Sequence, residues 1–258
     1  MRLDGVQSKR GPSDRSTFSY AQRLYVPTQG PTDWRRLLTD PRSQWEPLKS
    51  ALEMAVCWEA ARNSDRGLPP EVLAAIDSLP ELQGASLLIG LPEHQVQFEG
   101  GGHPSQNDLW ALLRVRSDLV SMAVEAKAGE PLDDIVRDWL PRDGERSRKP
   151  ERLAALRRRL GIDDADVADI RYQLLHRTAS ALKEAERFGA RWAVIVVQSF
   201  NRAADEASWK DFVRFGHLME VEVSEGILVR SPRRTATPLL IGWVTSQPAD
   251  LERLSAAV

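Results

Sequence analysis

The sequence predicts an α/β protein built on a mixed, partly antiparallel β-sheet flanked by helices. Three observations lead there. Two strand patterns, DLWALLRV (108–115) and DLVSMAVEAK (118–127), are separated only by Arg116 and Ser117, which argues for an antiparallel hairpin. RWAVIVVQSF (191–200) is a continuous apolar run, as in a strand buried on both faces. Helical patterns lie before the hairpin and between it and that run, giving the order helix, three strands, long helix, buried strand.

The elements follow in turn. Residues 1 to about 30 are polar and rich in Ser, Arg, Gly and Pro, and read as a loosely ordered arm, tied down near Leu24 to Val26. The remainder, 31–258, reads as one domain with a core over about 47–200 and a C-terminal extension over about 201–258. Thr32 or Asp33 would cap a short helix entering Trp34 to Leu38. Stronger helices are expected over about 47–62 and 70–79. ASLLIGLPEHQVQFEGGG then predicts one or two short strands ending at a glycine run. After the hairpin come helices over about 150–160 and 164–188. Beyond the buried strand are a short helix near 209–215 and strand-like runs at 226–230 and 238–245.

The bulk numbers exclude several classes. Hydrophobic content of 42% and charged content of 28% describe an ordinary globular protein. A formal net charge of −2 gives no whole-molecule support for a nucleic-acid partner, so such binding requires a local patch. The single cysteine, Cys57, excludes an internal disulfide and a cysteine-rich zinc site, and fits a reducing cytoplasm. Neither a membrane span nor a secretory leader is expected, so the protein is placed in the cytoplasm without a membrane partner.

The segment VEAK, Val124 to Lys127, carries the chemistry. Period 2 puts Val120, Met122, Val124 and Ala126 on one face, a packing face. Leu119, Ser121, Ala123, Glu125 and Lys127 form the other, small in its middle and charged at its end. An exposed ion pair at a strand end is the ordinary meaning of such a pattern. With Arg116 and Ser117 as a two-residue turn, however, paired positions sum to 233 and Asp108 stands opposite Glu125. Opposed residues share a face, with Cβ atoms roughly 5 Å apart. A one-residue change in the turn would reverse the face of Asp108. Two carboxylates this close require a cation or proton between them, and oxygen ligands suit magnesium or manganese. Lys127 could orient an attacking water or stabilise developing negative charge.

PSQND (104–108) followed after a strand by VEAK resembles the PD-(D/E)XK nuclease superfamily, over about residues 47–200. The blocks SQND to VEAK and RYQLLHRTASAL also look similar to a bacterial family of unknown function with that fold. The resemblance implies a restriction-endonuclease-like αβββαβ core and a magnesium- or manganese-dependent nuclease acting on DNA, less readily on RNA. The metal would be held by Asp108, Glu125 and the Ala126 carbonyl, and some such nucleases act as homodimers. One departure is that Asn107, not proline, precedes Asp108. Family members often add a glutamate from the first helix. In the 47–62 helix Glu59 lies near the centre of the apolar arc set by Leu48, Leu52, Ala55 and Val56, and is preferred to Glu53. A structural salt bridge is the alternative for Glu59.

On the long helix, Gln173 and Arg177 lie one turn apart along an edge of the apolar stripe formed by Val167, Ile170, Leu174, Ala181, Ala185 and Phe188. Arg177 could meet a phosphate, and Gln173 a base, a phosphate or a water. Packing against a loop is the plainer role for either. Tyr172 and His176 point away from the stripe, and His94, His103 and His217 show no metal-site spacing. Between Arg142 and Arg159 there are eight Arg or Lys and three Asp or Glu, 8 − 3 = +5. Arg146, Arg148 and Lys149 in this run are candidate phosphate contacts, with a solvated helix face as the alternative. Gly100 to Gly102 lacks P-loop spacing and reads as a loop. Trp110, on the Asp108 face by parity, could border the site. A non-catalytic nucleic-acid- or protein-binding module on the same fold is the competing function.

Overall fold

A computed structural model describes residues 28–99, 101–142 and 146–250, so the N-terminal arm lies almost entirely outside the described residues. From Thr28 the chain enters a 3-10 helix, Pro31–Leu37, followed by α1 (Pro41–Gln44), α2 (Ser50–Ala61) and α3 (Pro70–Asp77). Strands β1 (Ser86–Val96), β2 (Ser105–Val115) and β3 (Asp118–Lys127) come next. Then follow α4 (Val136–Trp139), α5 (Lys149–Leu160), α6 (Tyr172–Phe188), β4 (Trp192–Ser199), α7 (Glu206–Leu218), β5 (Leu228–Arg230) and β6 (Leu239–Thr245). The protein is thus α/β, with one mixed sheet in the order β1-β2-β3-β4-β6-β5. Strands β1, β2 and β3 form an antiparallel meander, and β3, β4 and β6 run parallel.

The hairpin holds the expected register. Leu109 pairs with Val124 and Val115 with Asp118, so opposed positions sum to 233, and Arg116 takes φ +53° in the turn. The segment before it is a single strand of 11 residues, not two short ones. As the edge strand, β1 has room for Pro92, which cannot donate to a ladder.

Each face of β3 meets a different layer. Val120, Met122, Val124 and Ala126 enter a core shared with α2 and α3. On the other face Ser121 donates to the Ala181 carbonyl of α6 at 2.8 Å and accepts from Trp110 Nε1 at 2.9 Å. The small residues in the middle of that face let α6 lie directly on the sheet. Trp110 is therefore packing, not site border: it is fully buried and stacked on Phe188, ring centroids 5.0 Å apart.

Other expectations require correction. Helix α6 begins at Tyr172, not near 164, because residues 168–171 run beside 135–137. Val136 N donates to the Ile170 carbonyl and Arg137 N to that of Ala168. The first helix is of 3-10 type and capped at Gly30; Asp33 instead accepts from Gln29 N at 2.6 Å. The C-terminal segment is no appendage, since β6 pairs with β4 along its whole length and places Trp243 in the core. No helix among the described residues is long and apolar enough to cross a membrane.

Candidate active site

At the end of the meander three carboxylates stand on three adjacent strands. Asp108 continues the β2–β3 pairing toward Glu125. It also lies across from Glu93 on β1, between the pairs Pro92–Leu109 and His94–Asn107. Glu93 adopts φ +54°, a left-handed conformation that a non-glycine residue seldom takes within a strand. Where the β2–β3 ladder stops at Leu109 and Val124, the Asp108 side chain replaces a strand partner: Ala126 N donates to its Oδ2 at 2.7 Å.

Helix α6 supplies the opposing charge. Gln173 Nε2 donates to Glu125 Oε1 at 2.5 Å and Arg177 Nε to Oε2 at 2.6 Å. Lys127 Nζ donates to Oε1 at 2.9 Å. The Arg177 guanidinium also reaches toward Asp108, with Nη2 3.7 Å from Oδ1. Asp108, Glu125, Lys127, Gln173 and Arg177 are thus brought together as expected. Burial acts to raise the Glu125 pKa, but Lys127 and Arg177 outweigh it and hold this carboxyl below its ordinary value. The other two acids go the opposite way. Burial, then the charge of Glu125, pushes Asp108 up to about 7; burial, then the charge of Asp108, pushes Glu93 up to about 8. Glu93 has a hydrogen bond from Gln106 Nε2 at 2.7 Å as partial compensation.

These groups line a cleft of about 500 Å³. Its walls carry the carboxylates of Glu93, Asp108, Glu125, Glu130 and Asp133 against the cations of Lys49, Lys127 and Arg177, so 3 − 5 = −2 with all groups ionised. Among the described residues no three His, Cys, Asp or Glu side chains already converge as a metal cage. The donor set nevertheless fits a hard cation. Two acids are held above their ordinary pKa by burial and then by neighbouring negative charge, and Glu125 accepts three hydrogen bonds where a carboxylate has about four acceptor sites. Magnesium binds through one or two carboxylates and keeps several waters, so it needs no complete protein cage.

A family model described as a domain of unknown function, DUF6946, matches residues 27–248. The chain belongs to the DUF6946 family. No curated protein and no solved structure matches it. The matched span includes every residue of the cleft in this DUF6946 chain.

Glu59 does not join the cluster. It sits on the buried face of α2, but its Oε1 accepts from Thr28 Oγ1 at 2.5 Å and Trp34 Nε1 at 2.9 Å, and its Oε2 pairs with Arg62 at 3.0 Å. It is the structural salt bridge, fastening the 3-10 helix to α2. Glu53 is buried as well and accepts from Ala249 N at 2.8 Å, away from the cleft. What α2 brings to the cleft is its first turn, Lys49 to Ala51. Arg146 is exposed and does not line the cleft. Arg148 and Lys149 line an adjoining cavity of about 470 Å³, with Tyr172 and His176, the two α6 residues the helical pattern had turned away from the site. Glu93 is the member of the carboxylate row that the sequence did not disclose.

Proposed function

We propose that the cleft is the centre of a divalent-metal-dependent nuclease acting on DNA, less readily on RNA. The observation that supports this most is the row Glu93, Asp108 and Glu125 across three neighbouring strands, with Lys127 two residues beyond Glu125. A row of three neighbouring carboxylates, two of them with raised pKa values, serves no packing purpose, and perturbed acids in a cleft are typical of catalytic sites. The order α2, β1-β2-β3, α6, β4 also accords with the αβββαβ core of restriction-endonuclease-like proteins.

Asp108, Glu125 and the Ala126 carbonyl are the groups that would hold magnesium or manganese, with Glu93 as a further acid. When bound, the ion would supply Lewis-acid polarisation of the scissile phosphate and charge neutralisation in a negative cleft. The chain's own groups do the rest. Lys127 Nζ, fixed by Glu125 at 2.9 Å, orients the attacking water and faces the charge that develops on the phosphate. Arg177 holds Glu125 and can meet a phosphate oxygen through Nη2, the end of its guanidinium directed toward Asp108. Gln173 positions Glu125 and is itself held, its Oε1 accepting from Asp133 N at 3.3 Å.

One observation favours the competing reading, a non-cutting binding module: Glu125 is already engaged by three donors. The assay that separates the two uses the purified protein with single- and double-stranded DNA and RNA, in magnesium, manganese or EDTA. Metal-dependent cleavage supports the nuclease. Reproducible binding without cleavage in any metal supports the module.

A further inference from the structure

We infer that the cavity next to the carboxylate cleft is a binding site for one phosphate-bearing nucleotide, its phosphate held by Arg148, Lys149 and Arg152. Calling the ligand a nucleotide rests on the nuclease reading; the requirement for an anion does not.

The argument begins with charge. Among the described residues, none of these three cations meets a carboxylate. Arg152 is only 6% exposed, yet its partners are all neutral. Its Nε donates to Tyr172 Oη at 2.6 Å, and its Nη1 donates to the Gly101 carbonyl at 3.1 Å and to that of His103. Lys149 Nζ donates to the Trp139 carbonyl at 2.6 Å and lies 5.1 Å from the centre of that ring. The Arg148 guanidinium rests beside Gly101, 3.3 Å from where a Cβ would stand, and has no ionic partner among the described residues. Burying a cation without a counter-ion is costly, which applies to Arg152. Lys149, half-buried, and Arg148, exposed, add their charge at the rim of the same cavity, and together the three create a place for an anion. The potential is felt by His176: burial, then Arg177 and Arg152, lower its pKa well below the ordinary value, so its ring is neutral. Its Nδ1 is engaged by Ser105 Oγ at 2.6 Å.

Shape narrows the ligand. The cavity, about 470 Å³, is of a size that encloses a small organic molecule, not a bare ion. Its wall includes the Trp139–Tyr172 stack, centroids 3.7 Å apart and planes 11° from parallel. Aromatic surface beside guanidinium groups suits a base with its phosphate. The cavity shares Gln106, Asp133 and Arg177 with the cleft. With all groups ionised it carries Arg148, Lys149, Arg152 and Arg177 against Asp133, 4 − 1 = +3, beside a cleft at −2. A strand anchored by one nucleotide in the positive cavity would place its neighbouring phosphate at the carboxylate row.

The test uses full-length protein in EDTA, titrated by calorimetry with deoxynucleoside 5′-monophosphates, deoxynucleosides and inorganic phosphate. Monophosphates should bind at least about tenfold more tightly than either component alone. R148E/K149E should weaken that binding at least about tenfold, and K210Q, which removes an exposed charge on α7 outside both cavities, should leave it unchanged. Circular dichroism should show both variants folded; R148Q and K149Q serve if the double reversal is not. Monophosphates that do not bind, or bind the Arg148 and Lys149 variants equally well, would overturn the inference, even if the wild type cleaves DNA. Monophosphate binding that depends on Arg148 and Lys149, in a protein that cleaves nothing, would uphold the anion site and defeat the nuclease reading instead.

Discussion

Arg177 Nε donates to Glu125 Oε2 at 2.6 Å from a helix that crosses the sheet, and both side chains are almost fully buried. The contact joins the long helix to the strand that carries VEAK. It also sets the order of charge in the cleft: Glu125 is fully compensated, whereas Asp108 and Glu93 are compensated only in part. Helix α6 can do this because Ser121 and Ala123 leave the sheet low beneath it.

Removing Arg177 should therefore destabilise the fold more than a surface charge would. Breaking one side of a buried pair leaves an uncompensated ion and costs about 3–5 kcal/mol. Because Lys127 and Gln173 still hold Glu125, Arg177→Met should cost an amount toward the lower end of that range in urea unfolding. Glu125→Gln combined with it should cost less than the two single losses added together, because the two groups are in direct contact, with Lys127 then losing its Glu125 carboxylate as well. Additive costs in the double variant would mean that the two groups do not depend on each other.

Proton linkage gives a second test. Asp108 and Glu93 have folded-state pKa values of about 7 and about 8, above the ordinary carboxyl range. The folded state then binds protons more tightly than the unfolded state, so ionising these acids costs stability as pH rises from about 4 to about 8. In EDTA the thermal midpoint should fall by several degrees across that window, and magnesium at the alkaline end should restore it by mass action. Glu125, with its lowered pKa, acts in the opposite direction and only at more acidic pH. Asp108→Asn should flatten the slope and remove most of the magnesium effect. Equal magnesium shifts in wild type and Asp108→Asn would place the ion elsewhere.

Glu59 should behave as a fastening. Glu59→Ala leaves the Thr28 and Trp34 donors without this acceptor and removes the Glu59 carboxylate from Arg62. A loss of roughly 2–4 kcal/mol is expected from several broken buried contacts. Cleavage per folded molecule should be unchanged, measured at a temperature where circular dichroism shows the variant folded. A folded Glu59→Ala protein that had lost activity would return Glu59 to the site.

The hairpin and its register were legible because a two-residue turn and a period of 2 leave few alternatives, and this placed Asp108 opposite Glu125. Gln173 and Arg177 were legible as an i, i+4 pair on one edge of a helix stripe. Glu93 was not. Its place beside Asp108 depends on the β1–β2 register, set across a long glycine-containing loop, and its left-handed backbone within LPEHQ follows no strand alternation. The helical pattern correctly put Glu59 on a buried face, but a wheel does not say which neighbour covers that face, and here it is Trp34. Tyr172 and His176 were discounted because the stripe was read against the sheet alone. Helix α5 covers a second side of α6, so residues 172–182 are all buried.

The central claim is that Lys127 and the carboxylate row act on a phosphodiester. Lys127→Ala, assayed beside wild type for magnesium-dependent cleavage and for binding of the same DNA, tests it most directly. Its ammonium is proposed to work on the water and the developing charge, so cleavage should fall by at least about a hundredfold while the dissociation constant changes by less than about threefold. A folded Lys127→Ala protein that cleaves DNA at the wild-type rate would contradict the account.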